Sequence, residues 1–106
     1  MISIVIPLYN KEQSIVRTLD SVLAQTYKDY ELIIVNDGST DHSQQVVEDY
    51  IQSAITNSDS DKSQIRLINK PNGGVSSARN VGIRAAKSDY VALLDGDDIW
   101  DPSFLK

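Results

Sequence analysis

The chain has 106 residues, 41% of them apolar and 24% charged, which suits one small domain with its own core. Its formal charge of −5 disfavours broad binding to a nucleic-acid backbone, while a phosphate ligand held through a cation stays compatible with it. The absence of cysteine excludes disulfides, thiolate zinc sites and a cysteine nucleophile.

Ile2 to Ile6 is a short β-branched run closed by Pro7, which predicts a buried strand. It is too short, and lacks the basic flank, for a signal-peptide core. No stretch approaches the ~18 apolar residues that span a bilayer. From Lys11 to about Gln25, Ile15, Leu19, Val22 and Leu23 recur at helical spacing, so one face of a helix is buried. Tyr30 to Val35 predicts the second strand, broken by Asn36-Asp37-Gly38-Ser39. Ser39, Thr40 and Asp41 are N-cap candidates for a second helix. Its inward face carries Val46, Val47, Tyr50, Ile51, Ala54 and Ile55. Thr56 to Gln64 has no period and predicts a surface loop.

Ile65 to Ile68 predicts a third strand, and Pro71-Asn72-Gly73-Gly74 a turn. Ser76 to Lys87 predicts a third helix whose small inward residues, Ala78, Gly82, Ala85 and Ala86, allow close packing on a sheet. Tyr90 to Leu94 predicts a fourth strand, ending in Asp95-Gly96-Asp97-Asp98. This alternation argues an α/β fold: a Rossmann-like parallel sheet with helices on both faces, in a single domain over residues 1–106.

Ligands of such sheets bind beyond the carboxyl ends of the strands. Polar and acidic residues follow each predicted strand here, so one rim is the expected site. The carboxylates Asp95, Asp97 and Asp98 repel one another and suit Mg²⁺ or Mn²⁺ as hard oxygen ligands. Taken alone, a solvated acidic turn accounts for them equally well. Asp37 has two readings, an acceptor for a base N–H or ribose hydroxyl, or a turn former that favours a helix dipole; the second leads on this residue alone. Tyr9 stacks on a nucleobase or packs on the sheet edge. Gly73-Gly74 precedes a helix start that favours anions, and Arg79 lies towards phosphate or pairs with an acid. Neither a Walker loop nor the dinucleotide fingerprint is present. His42 reads as surface. Trp100 reads as packing near the site. Ser76 and Ser77 lack a histidine partner, which excludes a serine hydrolase.

Four ordered segments resemble family-2 glycosyltransferases, whose nucleotide-binding part has the GT-A fold: residues 3–10 (SIVIPLYN), 34–41 (IVNDGSTD), 72–82 (NGGVSSARNVG) and 94–98 (LDGDD). The resemblance spans nearly all of the chain and implies the N-terminal half of that fold. It implies an inverting enzyme that moves a sugar from a nucleotide diphosphate sugar, commonly UDP-linked, to a hydroxyl on a glycan or lipid-linked glycan. It implies Mn²⁺ or Mg²⁺ as cofactor. Tyr9, within Pro7-Leu8-Tyr9, matches the lining of the base pocket, with Pro7 beside it. Asp37 matches the base-binding acid. Asp95 and Asp97 match the D-x-D motif, with Asp97 as metal ligand and Asp95 nearer the ribose and the metal's water shell. Arg79 is the softer nucleotide contact, and Asp98 supports the turn.

Asn36 departs from the second Asp that many relatives carry. Family members also usually run longer, so the chain reads as a piece of a longer protein. On that reading the acceptor half and the catalytic base lie beyond Lys106, and the piece alone is inactive. Location in the cytoplasm is expected, or at the inner face of the membrane through the C-terminal part. No nucleic-acid partner, no membrane segment in this chain and no particular oligomeric state are implied. The rival readings are a nucleotidyltransferase and a non-catalytic nucleotide-binding or assembly domain.

Overall fold

In the computed structural model the described residues are 2–24, 29–57 and 65–95, with the side chains of 54–57 outside the description. Four strands form one parallel sheet: β1 (Ile2–Leu8), β2 (Tyr30–Asp37), β3 (Ile65–Lys70) and β4 (Val91–Leu93), in the order β3-β2-β1-β4. Three helices connect them: α1 (Ile15–Leu23), α2 (Ser43–Asn57) and α3 (Val75–Ala85). The expected α/β, Rossmann-like architecture is present. Winding reverses between β1 and β4, and a crevice opens at such a reversal.

Side chains alternate across the strands. Ile4, Ile6, Leu8, Leu32 and Ile34 face one side and form the larger core with Ile15, Leu19, Val22 and Val47 of α1 and α2. Ile33 and Val35 face the other side and pack on Ala78 of α3. The α2 residues Val46, Tyr50 and Ile51 pack on the larger core as expected, whereas Ala54 and Ile55 lie outside the described side chains. Of the run Thr56 to Gln64, read as a surface loop, Thr56 and Asn57 instead belong to α2, whose backbone hydrogen bonds carry it past the last apolar position, and residues 58–64 lie outside the described residues. No helix among the described residues is long and apolar enough to cross a membrane.

Three strand ends run past the sequence expectation, whereas β4 (Val91–Leu93) is shorter than the expected Tyr90 to Leu94 and α1 starts at Ile15 and not at Lys11. β1 extends through Leu8, β2 through Asp37 and β3 through Lys70. Parallel pairing is made by backbone groups, so it continues past the apolar run into polar residues. Pro7 is tolerated in this central strand because the ladder alternates sides. Ser3 N–H and Val5 C=O bond toward β4, at Tyr90 and Leu94. Pro7 therefore directs its missing donor toward the same side, past the last β1–β4 pair at Val5 and Leu93.

Helix α3 lies close to the sheet because Gly82 sits on Val5. A Cβ at residue 82 would overlap the fully buried Val5 side chain, which is branched and stiff. At the foot of β2, buried Glu31 accepts hydrogen bonds from Ser3 Oγ (2.6 Å), the Lys87 amide (2.6 Å) and Arg66 (3.1 Å). Burial by itself would push the Glu31 carboxyl up, but the three donors outweigh it and hold it below its ordinary value.

Gly82→Ala is expected to lose roughly 1–3 kcal/mol of stability through overpacking against Val5, read as a lower urea midpoint at unchanged slope. Glu31→Ala removes the acceptor of the Lys87 amide, the Ser3 hydroxyl and one Arg66 bond, and is expected to cost roughly 2–4 kcal/mol. A lowered folded pKa means this contribution is complete above the unfolded value near 4.5 and is lost as pH falls through the folded one. The wild-type advantage over Glu31→Ala in urea unfolding should accordingly shrink on acidification and stay flat above neutrality.

Candidate functional site

A cleft of about 580 Å³ opens at the carboxyl ends of β1, β2 and β4, over the start of α3. Its size is in the range of small-molecule sites. Pro7, Leu8, Tyr9 and Lys11 line it from the β1 end, and Asp37 from the end of β2. Asn72, Gly74, Val75, Ala78 and Arg79 contribute the β3–α3 turn and the first turns of α3, and Asp95 closes the β4 side. Five of the expected residues (Pro7, Tyr9, Asp37, Arg79 and Asp95) thus share one cleft. Asp97, Asp98, Gly96 and Trp100 lie outside the described residues. Among the described residues no group of three or more metal-binding side chains gathers.

Asp37 is the most constrained member. Its side chain is 4% exposed. Oδ1 accepts from Lys70 Nζ at 2.7 Å and from the Gly73 amide at 2.9 Å, and Oδ2 accepts from the Gly74 amide at 2.9 Å. Burial would raise its pKa, yet the Lys70 contact and the two amides prevail and hold the carboxyl below the usual range. Asn72 Nδ2 donates to the Asp37 carbonyl at 3.0 Å. The helix start that Asp37 serves is therefore that of α3, across the sheet, and not that of α2, which follows it in sequence.

Gly38 makes this approach possible. It sits at φ +68°, and a Cβ there would lie 2.6 Å from the Asn72 backbone nitrogen. Gly74, at φ +97°, is the N-cap of α3. Neighbouring Asn36 turns into the other face, where its Nδ2 donates to Asn69 Oδ1 (3.0 Å) and its Oδ1 accepts from the Ser39 amide (3.2 Å).

Tyr9 is 44% exposed and is presented by a clamp between two loops. Asn10 adopts φ 52°, which Asn tolerates better than most residues. Its Oδ1 accepts from the amides of Thr40 (2.8 Å) and Asp41 (3.2 Å), and its own amide donates to Ser39 Oγ (3.1 Å). The Lys11 amide donates to buried Ser43 at 2.8 Å. Of the three cap candidates, Asp41 is the one that reaches the helix: Oδ1 accepts from the Ser43 amide at 2.9 Å. His42 is on the surface as expected, 83% exposed and 3.3 Å from Glu12.

Arg79 resolves as an acid-paired residue inside the cleft. Its guanidinium meets Asp95 Oδ1 at 3.2 Å, and its buried Nε has no partner among the described residues. The sequence assigns no individual role to Lys11, Asn10, Lys70 or Asn72, which the structure places in or beside the cleft. Lys70 faces Asp37 because the two are register partners, a relation between residues 33 apart that the linear chain does not display.

The profile of glycosyl transferase family 2 matches residues 3–106. The chain belongs to glycosyl transferase family 2. It is 45% identical over 98 residues to the uncharacterized glycosyltransferase EpsJ of Bacillus subtilis, covering 92% of this chain and 26% of that protein. It is 39% identical over 102 residues to the hyaluronan synthase of Pasteurella multocida, covering 96% of this chain and 10% of that one. Among solved structures, S. aureus TarS 1–349 in complex with UDP-GlcNAc superposes with a TM-score of 0.82 at 30% identity, over 98% of this chain and 28% of that one. The mannosyltransferase PcManGT of Pyrobaculum calidifontis, in complex with GDP-Man and Mn²⁺, gives 0.83 at 24% identity over 93% of this chain and 28% of that one, a likeness of fold. The chain thus spans about a quarter of the length of EpsJ and of these two structures.

The Asn10 clamp makes a ranked prediction. Asn10→Ala loses the bonds to Thr40 and Asp41 and puts at φ 52° a residue that tolerates that region less well than Asn, for an expected loss of roughly 2–3 kcal/mol. Asn10→Gly loses the same bonds without the backbone penalty and should be less destabilised by about 1 kcal/mol. Equal urea midpoints for the two variants would remove the backbone half of this account.

Proposed function

We propose that this chain is the donor-binding part of an inverting glycosyltransferase that takes a UDP-sugar and a divalent metal ion and glycosylates a hydroxyl of a glycan or lipid-linked glycan. The observation that carries the reading is one cleft holding an aromatic ring, an ionised and nearly buried carboxylate, a helix start and a second acid. The likeness to TarS, whose structure contains UDP-GlcNAc, supports a nucleotide sugar as ligand.

In this reading Tyr9 stacks on the base, with Pro7 beside it, and Asp37 accepts a hydrogen bond from a base N–H. An ionised carboxylate only accepts, which suits a base edge that donates. Arg79 and the amides at the start of α3 supply positive potential for phosphate. Asp95 lies toward the ribose and, with Asp97, offers hard oxygen donors that fit Mg²⁺ or Mn²⁺. Such an ion, when bound, neutralises charge that develops on the departing diphosphate.

Attack on the anomeric carbon needs a general base for the acceptor hydroxyl. Asp37 is a poor one, with three hydrogen bonds and a lowered pKa, and Asp95 is engaged by Arg79. No described cleft residue is therefore assigned that role, and the chain by itself is expected to bind donor without transferring sugar.

Calorimetric titration with UDP tests the reading. Binding should require Mn²⁺, weaken at least about tenfold in Asp97→Ala, and weaken by roughly 1–3 kcal/mol in Tyr9→Ala through lost stacking. Absence of UDP binding, or binding indifferent to Mn²⁺ and to Asp97, would overturn it.

A further inference from the structure

A carboxylate offers about four lone-pair sites and an ammonium three N–H donors. At Asp37, Oδ1 is filled by Lys70 Nζ and the Gly73 amide, whereas Oδ2 takes only the Gly74 amide. One acceptor site on Oδ2 is left. Lys70 reaches the carboxylate from outside the cleft. It is not among the cleft-lining residues, its side chain is 14% exposed, and a second proton of Nζ goes to the Pro71 carbonyl at 2.6 Å. Nζ also lies behind Gly73, 3.0 Å from where a Cβ at that residue would stand.

We infer that Lys70 is a positioning residue for base recognition: by occupying Oδ1 from outside the cleft, it leaves Oδ2 as the open acceptor and so selects nucleobases that present a ring N–H beside a carbonyl. The inference rests on the assignment of Asp37 to the base under Proposed function. Uracil, thymine and guanine carry such an edge. Cytosine and adenine place an unprotonated ring nitrogen there, whose lone pair opposes an ionised carboxylate. Lys70 has a second effect through charge. A base that covers the cleft desolvates Asp37 further, and desolvation favours the neutral acid. A neutral carboxyl carries a proton to donate and would accept cytosine. The Lys70 ammonium opposes that change. Lys70 is the charged group in contact with the carboxylate, and Lys11, Arg79 and Asp95 are the other charged residues lining the cleft.

The test is the ratio of UDP to CDP affinity, with Mn²⁺ present, between about pH 6 and pH 8, above the acid range in which cytosine N3 itself takes up a proton. The ratio cancels titration of the diphosphate, which both nucleotides share. Wild-type protein should prefer UDP by at least about tenfold across the range, because a mismatched buried donor–acceptor pair costs that much. Lys70→Met should weaken UDP about tenfold at neutral pH and let the ratio collapse on the acid side, where wild type still discriminates. Lys70→Arg should restore both. Lys70→Gln, uncharged but able to donate, carries the same comparison if Lys70→Met does not fold. A folded Lys70→Met or Lys70→Gln with the wild-type ratio at every pH overturns the inference. Asp37→Asn separates the two levels. If it abolishes the preference while the Lys70 variants keep it, the base assignment stands and the role of Lys70 falls. A wild-type protein with no UDP preference overturns both.

Discussion

A carboxylate taken out of water must be surrounded by donors, and strand β2 carries one at each end. Glu31 at its foot and Asp37 at its top lie on the same face of the sheet, the face that α3 covers. Glu31 binds the Lys87 amide just after α3, and Arg66 links it to the Ala85 carbonyl at 2.8 Å. Asp37 binds the amides of Gly73 and Gly74 just before α3. The lengths agree: six strand residues span about 20 Å, and the run from Gly74 to Lys87 at helical rise spans about the same. Helix α3 is thus tied at both ends to one strand, and both ties hold their carboxyls ionised against the pull of burial.

That arrangement is what makes the cleft. The N-terminus of α3 is fixed over the end of β2, beside the reversal point between β1 and β4, and the small face of the helix, with Gly82 on Val5, keeps it close. The opposite wall is held differently. Asn10 bridges the loop after β1 to the start of α2, so Tyr9 projects from a loop whose backbone is bonded on its far side. A wall built from satisfied backbone groups needs little rearrangement to receive a ligand, which lowers the ordering cost of binding.

Charge in the cleft is local and paired, in contrast to the net −5 of the chain. Lys70 balances Asp37, and Arg79 balances Asp95. These pairs differ in depth. The first is 14% and 4% exposed and persists as structure; the second is 36% and 51% exposed and is open to exchange with a ligand's charges. On the α3 face of β4, Val91 and Leu93 are 36% and 46% exposed, since α3 packs chiefly on β1 and β2.

Much of this was readable from the linear chain. Runs of β-branched residues, the Ile15-Leu19-Val22 period and the turn residues between them determine four strands, three helices and an open parallel sheet, because periodicity alone specifies which faces are buried. The same order puts Tyr9, Asp37, Arg79 and Asp95 at one rim, since each follows or ends a strand or begins a helix. The sequence could not tell whether Asp37 shapes its own turn or a distant one, nor that Asn10 joins two loops together with the cap candidates Ser39 and Asp41. Nor could it tell that Lys70 stands beside Asp37. Those facts depend on register and on backbone conformation. A register links residues 33 apart through the packing of the whole sheet, and a left-handed Asn is recognised only once the amides it binds are in place.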